Sequence, residues 1–192
     1  MKEKTIKIAT AYGSFTKNDE CYTPMYAISP ILEFITSKAT VWCPFDKDFS
    51  NYVKAFNSNG NKVIFSHIDD GYDFLEYEPK ENYDLIISNP PFSLKRKVLN
   101  KLNELNKPFA ILLPITMLND NYMKELKGKE FLFFDKRIEY KTINKPKIYR
   151  IPFGSFYCCK DFLPTRIEFR ELKRNKDEET FTKEELIELG YQ

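Results

Sequence analysis

Long apolar runs are missing from this chain of 192 residues. The longest, Phe109 to Leu118, is short and broken by Pro114, and the N-terminal stretch MKEKTIKIATAYGSF has no sustained apolar core. Neither a membrane span nor a secretory signal is expected. Histidine occurs once, at His67, so neither a metal site nor a nucleophile–histidine–acid triad is built on it. The four cysteines, Cys21, Cys43, Cys158 and Cys159, show no C-x-x-C spacing. Neither a zinc site nor a disulfide framework is indicated by that spacing, and reduced thiols in a cytoplasmic protein are expected. Repeats and low-complexity linkers are absent too, which leaves a single domain over 1–192.

What is present is a real core and an uneven charge. Hydrophobic residues make up 42% of the chain, enough to bury a globular interior. Net charge is only +2, but residues 93–176 carry 20 basic against 9 acidic side chains, and 177–192 form an acidic tail. The basic segment suits a polyanionic partner, although lysines that merely solvate helix faces would give the same count. The tail reads as a short helix from Thr182 to Leu189, opened by a capping box.

Four short runs rich in β-branched or aromatic residues, Val41–Cys43, Lys62–Ser66, Asp84–Ser88 and Phe109–Leu113, read as strands buried on both faces. Helical patterns lie between them, at Ile28–Thr36, Ser50–Phe56 and Ser93–Leu105, with Ser50 and Ser93 at N-cap positions. Alternation of this length implies right-handed crossovers and a mainly parallel sheet. Beyond Pro114, the aromatic and basic stretches at Phe131–Phe134, Arg137–Tyr140, Phe153–Cys159 and Arg166–Arg170 read as antiparallel strands added to it.

The third run ends in Asn89-Pro90-Pro91-Phe92. An ordinary turn would explain the break. In an open α/β sheet, however, residues just past the carboxyl ends of strands face the ligand crevice. The two prolines stiffen this loop and remove two donors, so it offers acceptors, the Asn89 side-chain oxygen and the Pro90 carbonyl, beside the Phe92 ring. A flat ring bearing an exocyclic amine, as in adenine, complements that set. Two acceptors gripping both N–H bonds would favour a pyramidal nitrogen and stabilise the charge that develops as it attacks an electrophilic carbon. Phe92 would stack on the flipped base.

These residues resemble the S-adenosylmethionine-dependent N6-adenine methyltransferases, most closely the short Dam-like enzymes of phages and prophages. The resemblance spans most of the chain. Asp19-Glu-Cys-Tyr22-Thr23-Pro24 is similar to the family's D-E-x-Y-T-P element, which implies a place for Tyr22, Thr23 and Pro24 near the methionine carboxylate of the cofactor; a cap and first-turn proline is the structural alternative. Gly71-Tyr-Asp73-Phe74-Leu75 resembles a G-x-D-F-L segment, which implies Asp73 on the cofactor's adenine amine and Phe74 on its ring. The later pieces at Arg137 and Ser155 resemble wall elements. The fold implied is α/β and Rossmann-like, of the class I methyltransferase type, mainly parallel with antiparallel C-terminal strands.

The first turn departs from that pattern. Glycines expected after the first strand are replaced by Cys43-Pro44-Phe45-Asp46. Either Pro44, Phe45 and Asp46 form a tighter turn that sets a carboxylate against the cofactor's amino group, or cofactor binding is lost and a non-catalytic nucleic-acid-binding protein remains. The acidic residue expected after the second strand falls at His67, followed by Ile68; both are read as cofactor contacts. The resemblance implies DNA as substrate, with structured RNA, including tRNA, as the nearest alternative. Sequence recognition is expected in the loops near Leu118–Lys129 and Lys141–Tyr149, or from a second subunit.

Overall fold

The computed structural model describes residues 22–119, 121–142, 145–149 and 153–174. The first half folds as helix, strand, helix, strand: α1 (Met25–Leu32), β1 (Thr40–Cys43), α2 (Asn51–Ser58) and β2 (Lys62–Phe65). Next come β3 (Leu85–Ser88), α3 (Lys95–Leu105) and β4 (Phe109–Pro114). The C-terminal half holds a short α4 (Met123–Leu126), then β5 (Glu130–Phe134), β6 (Tyr140–Thr142), β7 (Lys145–Tyr149), β8 (Ser155–Lys160) and β9 (Ile167–Arg170).

Among the described residues, seven strands form one sheet in the order β2-β1-β3-β4-β8-β5-β9, while β6 and β7 pair with each other. The strands β1 to β4 are parallel, as the alternation of apolar runs and helices requires. Helices cover both faces. Ala27, Ile28 and Ile31 of α1 and Ala55 and Phe56 of α2 pack with Val41, Ile87 and Leu112 on one side. Val98, Leu99 and Leu102 of α3 pack with Trp42, Ile86 and Ile111 on the other. The fold is thus Rossmann-like α/β, with one apolar cluster on each side of the sheet.

Several sequence expectations change in detail. Strand β2 is not buried on both faces, because it lies at the sheet edge and its ends, Lys62 and Phe65, are exposed. Of the C-terminal strands, β8 runs antiparallel to both neighbours, whereas β9 pairs with β5 in parallel. Alternating patterns mark a strand but carry no information on its direction. Arg137 to Glu139 are irregular, and only Tyr140 of that stretch enters a strand, β6. Leu94 rather than Ser93 stands at the N-cap of α3, because the turn of 3₁₀-helix at Phe92–Leu94 runs straight into it. Ser50 does cap α2 by position, yet its side chain makes no capping hydrogen bond. Asp19 to Cys21 and the acidic tail from Asp177 onward lie outside the described residues.

Candidate functional site

Three parallel strands, β1, β2 and β3, deliver their C-terminal ends to one crevice. A cleft there is lined by Pro44, Phe45 and Asp46 after β1, His67 and Ile68 after β2, and Asn89 and Pro91 after β3. Tyr22 and Thr23 from the lead-in to α1, and Asp73 and Phe74 from the segment before β3, complete it. Residues far apart in sequence, each expected at a site, therefore share one cavity. Pro24, Pro90 and Phe92 are not among its lining residues. Pro24 is the N-cap of α1, Pro90 is buried, and Phe92 turns its ring to Phe153 at 5.9 Å and Tyr140 at 6.4 Å. The N-P-P-F turn thus stands between the cleft and a second, aromatic group.

Asp46 is the chemical centre of the cleft. Its backbone N–H donates to Ser66 O at 3.2 Å, which holds the turn after β1 against the end of β2. Ser66 is fixed in turn by the Trp42 indole, whose Nε1 donates to Ser66 Oγ at 3.0 Å. Asp46 is 7% exposed, and its Oδ2 accepts from Ser88 Oγ, at the end of β3, at 2.5 Å. Burial pushes its carboxyl up to about 6, and the hydrogen bond from Ser88 opposes the shift. A carboxylate kept where its charge is poorly solvated is matched by a ligand that brings positive charge or N–H donors.

Thr23 supplies another open acceptor. It is 4% exposed, and its Oγ1 has no hydrogen-bond partner among the described residues. It does not cap α1, a role that falls to Pro24. Asn51, at the first turn of α2, donates Nδ2 to Thr23 O at 3.0 Å and so fixes the backbone that carries this hydroxyl. A buried polar group without a partner costs free energy, and persists where something other than the fold uses it.

Lys47, in the lining, pairs its Nζ with Asp69 Oδ2 at 2.6 Å, which holds the Asp69 carboxyl below the usual carboxylate range. His67 Nδ1 accepts from Asp69 N–H at 3.2 Å, so the imidazole caps the 3₁₀ turn Ile68–Asp70. Gly71, at φ 84°, then reverses the chain into the Asp73 segment. Asp73 Oδ1 accepts from Leu75 N–H at 3.0 Å, which shapes that turn. Phe74 is 2% exposed and packs on Trp42 at 5.4 Å and Phe45 at 5.0 Å.

Sequence reasoning missed Lys47, Ser50, Asn51, Tyr52, Tyr72 and Leu94 in this lining. A signal existed for three of them. Ser50, Asn51 and Tyr52 begin the helix that follows β1, and the start of such a helix faces the crevice. Among the described residues, no group of histidine, cysteine or acidic side chains is arranged to hold a metal ion. None of the helices among them is long and apolar enough to cross a membrane.

No protein-family model matches the chain, and no curated protein does either. Among solved structures it is similar to the methyltransferase subunit of a type I restriction-modification system from Streptococcus thermophilus, with a TM-score of 0.47 and 12% identity. That match covers 88% of this chain and 52% of the subunit, so the chain spans about half of its length. It is also similar to the 23S rRNA methyltransferase ErmE, with a TM-score of 0.39 and 10% identity over 84% of this chain and 72% of that one.

Proposed function

We propose that the chain is an S-adenosylmethionine-dependent N6-adenine methyltransferase that acts on DNA. The observation that carries this reading is the convergence of Asn89 and Pro91 of the N-P-P-F turn with Asp46 and Thr23 in one cleft at the strand ends. An adenine-binding turn alone would fit many proteins. Its place beside a buried carboxylate and a buried, unengaged hydroxyl fits an enzyme that holds a cationic, amino-acid-bearing cofactor next to the base.

The donor and acceptor set suits that cofactor. Asp46 would receive its ammonium group, Thr23 its carboxylate end, and Ile68, Asp73 and Phe74 its adenosine, with Tyr22, Pro44, Phe45 and His67 as walls. When bound, S-adenosylmethionine supplies an electrophilic methyl group on a sulfonium. The work of the protein is then positional and electrostatic. Asn89 and the Pro90 carbonyl accept from the two N–H bonds of the target amine, Pro91 keeps the loop rigid, and Phe92 contacts the base. The glycine-poor first turn is compatible with this, since the tight turn of Pro44 and Phe45 is what points Asp46 inward. Basic residues within 93–176 would contact phosphates.

Calorimetry with S-adenosylmethionine, followed by transfer of a radiolabelled methyl group to duplex DNA and to tRNA side by side, tests the proposal. Micromolar cofactor binding and label in DNA adenine, lost in Asn89→Ala, are expected. Absence of binding at millimolar cofactor would refute the enzyme reading, and label in tRNA alone would move the substrate to RNA.

A further inference from the structure

The outer end of the main sheet carries an apolar surface that has no part in the cleft. Strands β5 and β9 pair in parallel, with Phe131 opposite Ile167 and Phe133 opposite Phe169. Alternate residues share a face of a strand, so these four side chains form two cross-strand rungs on one side of the sheet. It is the side of α3, since Phe131 and Phe133 pack against the cluster that holds Val98 and Leu102. The Phe133 ring lies 5.6 Å from that of buried Phe156 and 5.7 Å from that of Phe169. Beyond it the cover stops: among the described residues, Ile167 is left 53% and Phe169 71% exposed. On the other side of β9, Arg170 is held at 2.7 Å by Glu33, the C-cap of α1. A sheet of this class buries both faces under helices, and here one face is left open at its end.

The outer edge of β9 is closed to a further strand. Arg166 O and Arg170 O accept from Phe131 N–H at 2.9 Å and Asp135 N–H at 3.3 Å, so the carbonyls of Ile167 and Phe169 point away from β5. Thr165 Oγ1 donates to the first at 2.8 Å and Arg170 Nη1 to the second at 2.9 Å. What stays open is the face, which suits a helix laid across it rather than a strand added beside it. The chain itself leads there. After β9, Leu172 is buried, its N–H donates to Asp135 Oδ1 at 2.8 Å, and Arg174 pairs with Glu139 at 3.1 Å. Residues 175–192 lie outside the described residues, and their sequence includes Phe181-Thr-Lys-Glu-Glu185-Leu-Ile-Glu-Leu189-Gly190. With Thr182 as N-cap and Glu185 as its capping-box partner, Phe181 and Leu186 take the two positions of a hydrophobic staple. Leu186, Ile187 and Leu189 then share one side of the helix, and Glu184, Glu185 and Glu188 the other. So short a helix is not stable alone in water, and its apolar side needs a surface.

From these observations we infer that residues 181–189 pack as a helix on the face made by Phe131, Phe133, Ile167 and Phe169 of the same chain, with the acidic side turned to solvent. The dimensions agree. A helix from Thr182 to Leu189 is about 12 Å long, and β9, at four residues, spans about 13 Å. Residues 175–180 reach about 20 Å when extended, enough to pass round the edge strand to a layer about 10 Å away. Attachment to β9 also gives the chain's own segment a high effective concentration at this face, against which a second copy competes poorly. Such a contact is independent of the methyltransferase reading, and it makes the acidic stretch a part of the fold.

Hydrogen exchange of the full chain, read by mass spectrometry with light scattering on the same samples, tests the contact. The native chain is compared with Phe169→Ser, with Leu186→Ser/Leu189→Ser and with the control Glu184→Gln/Glu188→Gln. In the native chain, amides of 184–189 should exchange at least about tenfold more slowly than in an unstructured peptide of the same sequence, and the chain should be monomeric. Phe169→Ser alters a largely exposed side chain outside the cleft and should abolish that protection while β1 to β4 keep theirs. The leucine variant should lose it as well, and the glutamine control should retain it. Native amides of 184–189 that exchange as fast as the free peptide would overturn the contact. So would protection that survives Phe169→Ser, because the helix would then rest on another surface. Protection lost on dilution, together with the mass of a dimer, would assign the face to a second copy and overturn the intramolecular contact.

Discussion

Ser88 Oγ donates to Asp46 Oδ2 at 2.5 Å, across 42 residues of sequence, and thereby ties the end of β3 to the turn after β1. Both groups are buried. The bond offsets part of the cost of placing a carboxylate where water does not reach, but it leaves the carboxyl raised to about 6 from its ordinary 3.8. The folded state therefore binds this proton more tightly than the unfolded chain does. Stability from this group is full below about pH 4, declines as pH rises toward 6, and is replaced above that by a penalty of about 3 kcal/mol.

Asp46→Asn removes the ionisation and keeps the shape. Its thermal midpoint should exceed that of the native chain at pH 8 and match it near pH 4, while S-adenosylmethionine affinity drops at least tenfold at pH 8. Thermal melts at the two pH values, with calorimetry on the same samples, check this. A variant equally stabilised at both pH values would show that the effect is not the titration of Asp46.

The parallel half of the fold was legible because its strands are short apolar runs set off by breakers, such as Val41 to Cys43 before Pro44 and Asp84 to Ser88 before the double proline. Local pattern was enough for these. The C-terminal half was not, because the pairing of β5 with both β8 and β9 is a long-range choice that alternation at Phe131–Phe134 does not encode. The cleft divides in the same manner. Asn89, Thr23 and Asp73 sit in recognisable short motifs, whereas Lys47 and Asn51 join them through contacts with Asp69 and Thr23 that only the folded chain creates. The missing glycines left two readings open, a tighter turn that sets a carboxylate inward or a lost cofactor site, and local sequence does not choose between them; in the folded chain Asp46 at this turn is buried.

Thr23 offers a second trade between stability and binding. Its hydroxyl is buried without a partner, and Thr23→Val replaces it with a methyl group of similar size. Removing an unmet polar group should raise stability by about 1 kcal/mol. Cofactor affinity should fall about tenfold in the same variant. Chemical denaturation and calorimetry read the two effects separately. A loss of stability would mean that the hydroxyl serves the fold rather than a ligand.

Phe92 packs beside Tyr140 and Phe153, outside the lining of the cleft that holds Asp46. Its removal should therefore separate substrate from cofactor. Phe92→Ala is expected to leave S-adenosylmethionine affinity within about twofold, while methyl transfer to DNA falls 10²-fold or more through lost stacking and positioning, effects worth about 1–3 kcal/mol per base in binding alone. Equal losses in cofactor affinity and transfer would place the ring in the cofactor site instead.

The hydroxyls of Tyr52 and Tyr157 lie 2.8 Å apart in the core beneath the cleft, and Tyr157 also donates to Ala27 O at 3.2 Å. A hydroxyl has one proton. Since that of Tyr157 goes to Ala27, the proton between the two rings must come from Tyr52. Burial, the leading cause, holds both phenols far above their ordinary value, so they stay neutral donors throughout the working pH range. The two conservative substitutions are therefore unequal. Tyr157→Phe strands the Tyr52 donor in an apolar surround and should cost about 2–3 kcal/mol, whereas Tyr52→Phe leaves Tyr157 still donating to Ala27 and should cost about 1 kcal/mol. Denaturant unfolding of both variants and of the double variant checks the assignment. The double variant should be no less stable than Tyr157→Phe alone, because a donor that no longer exists cannot be stranded. Equal costs for the two single variants would reverse the direction of the hydrogen bond.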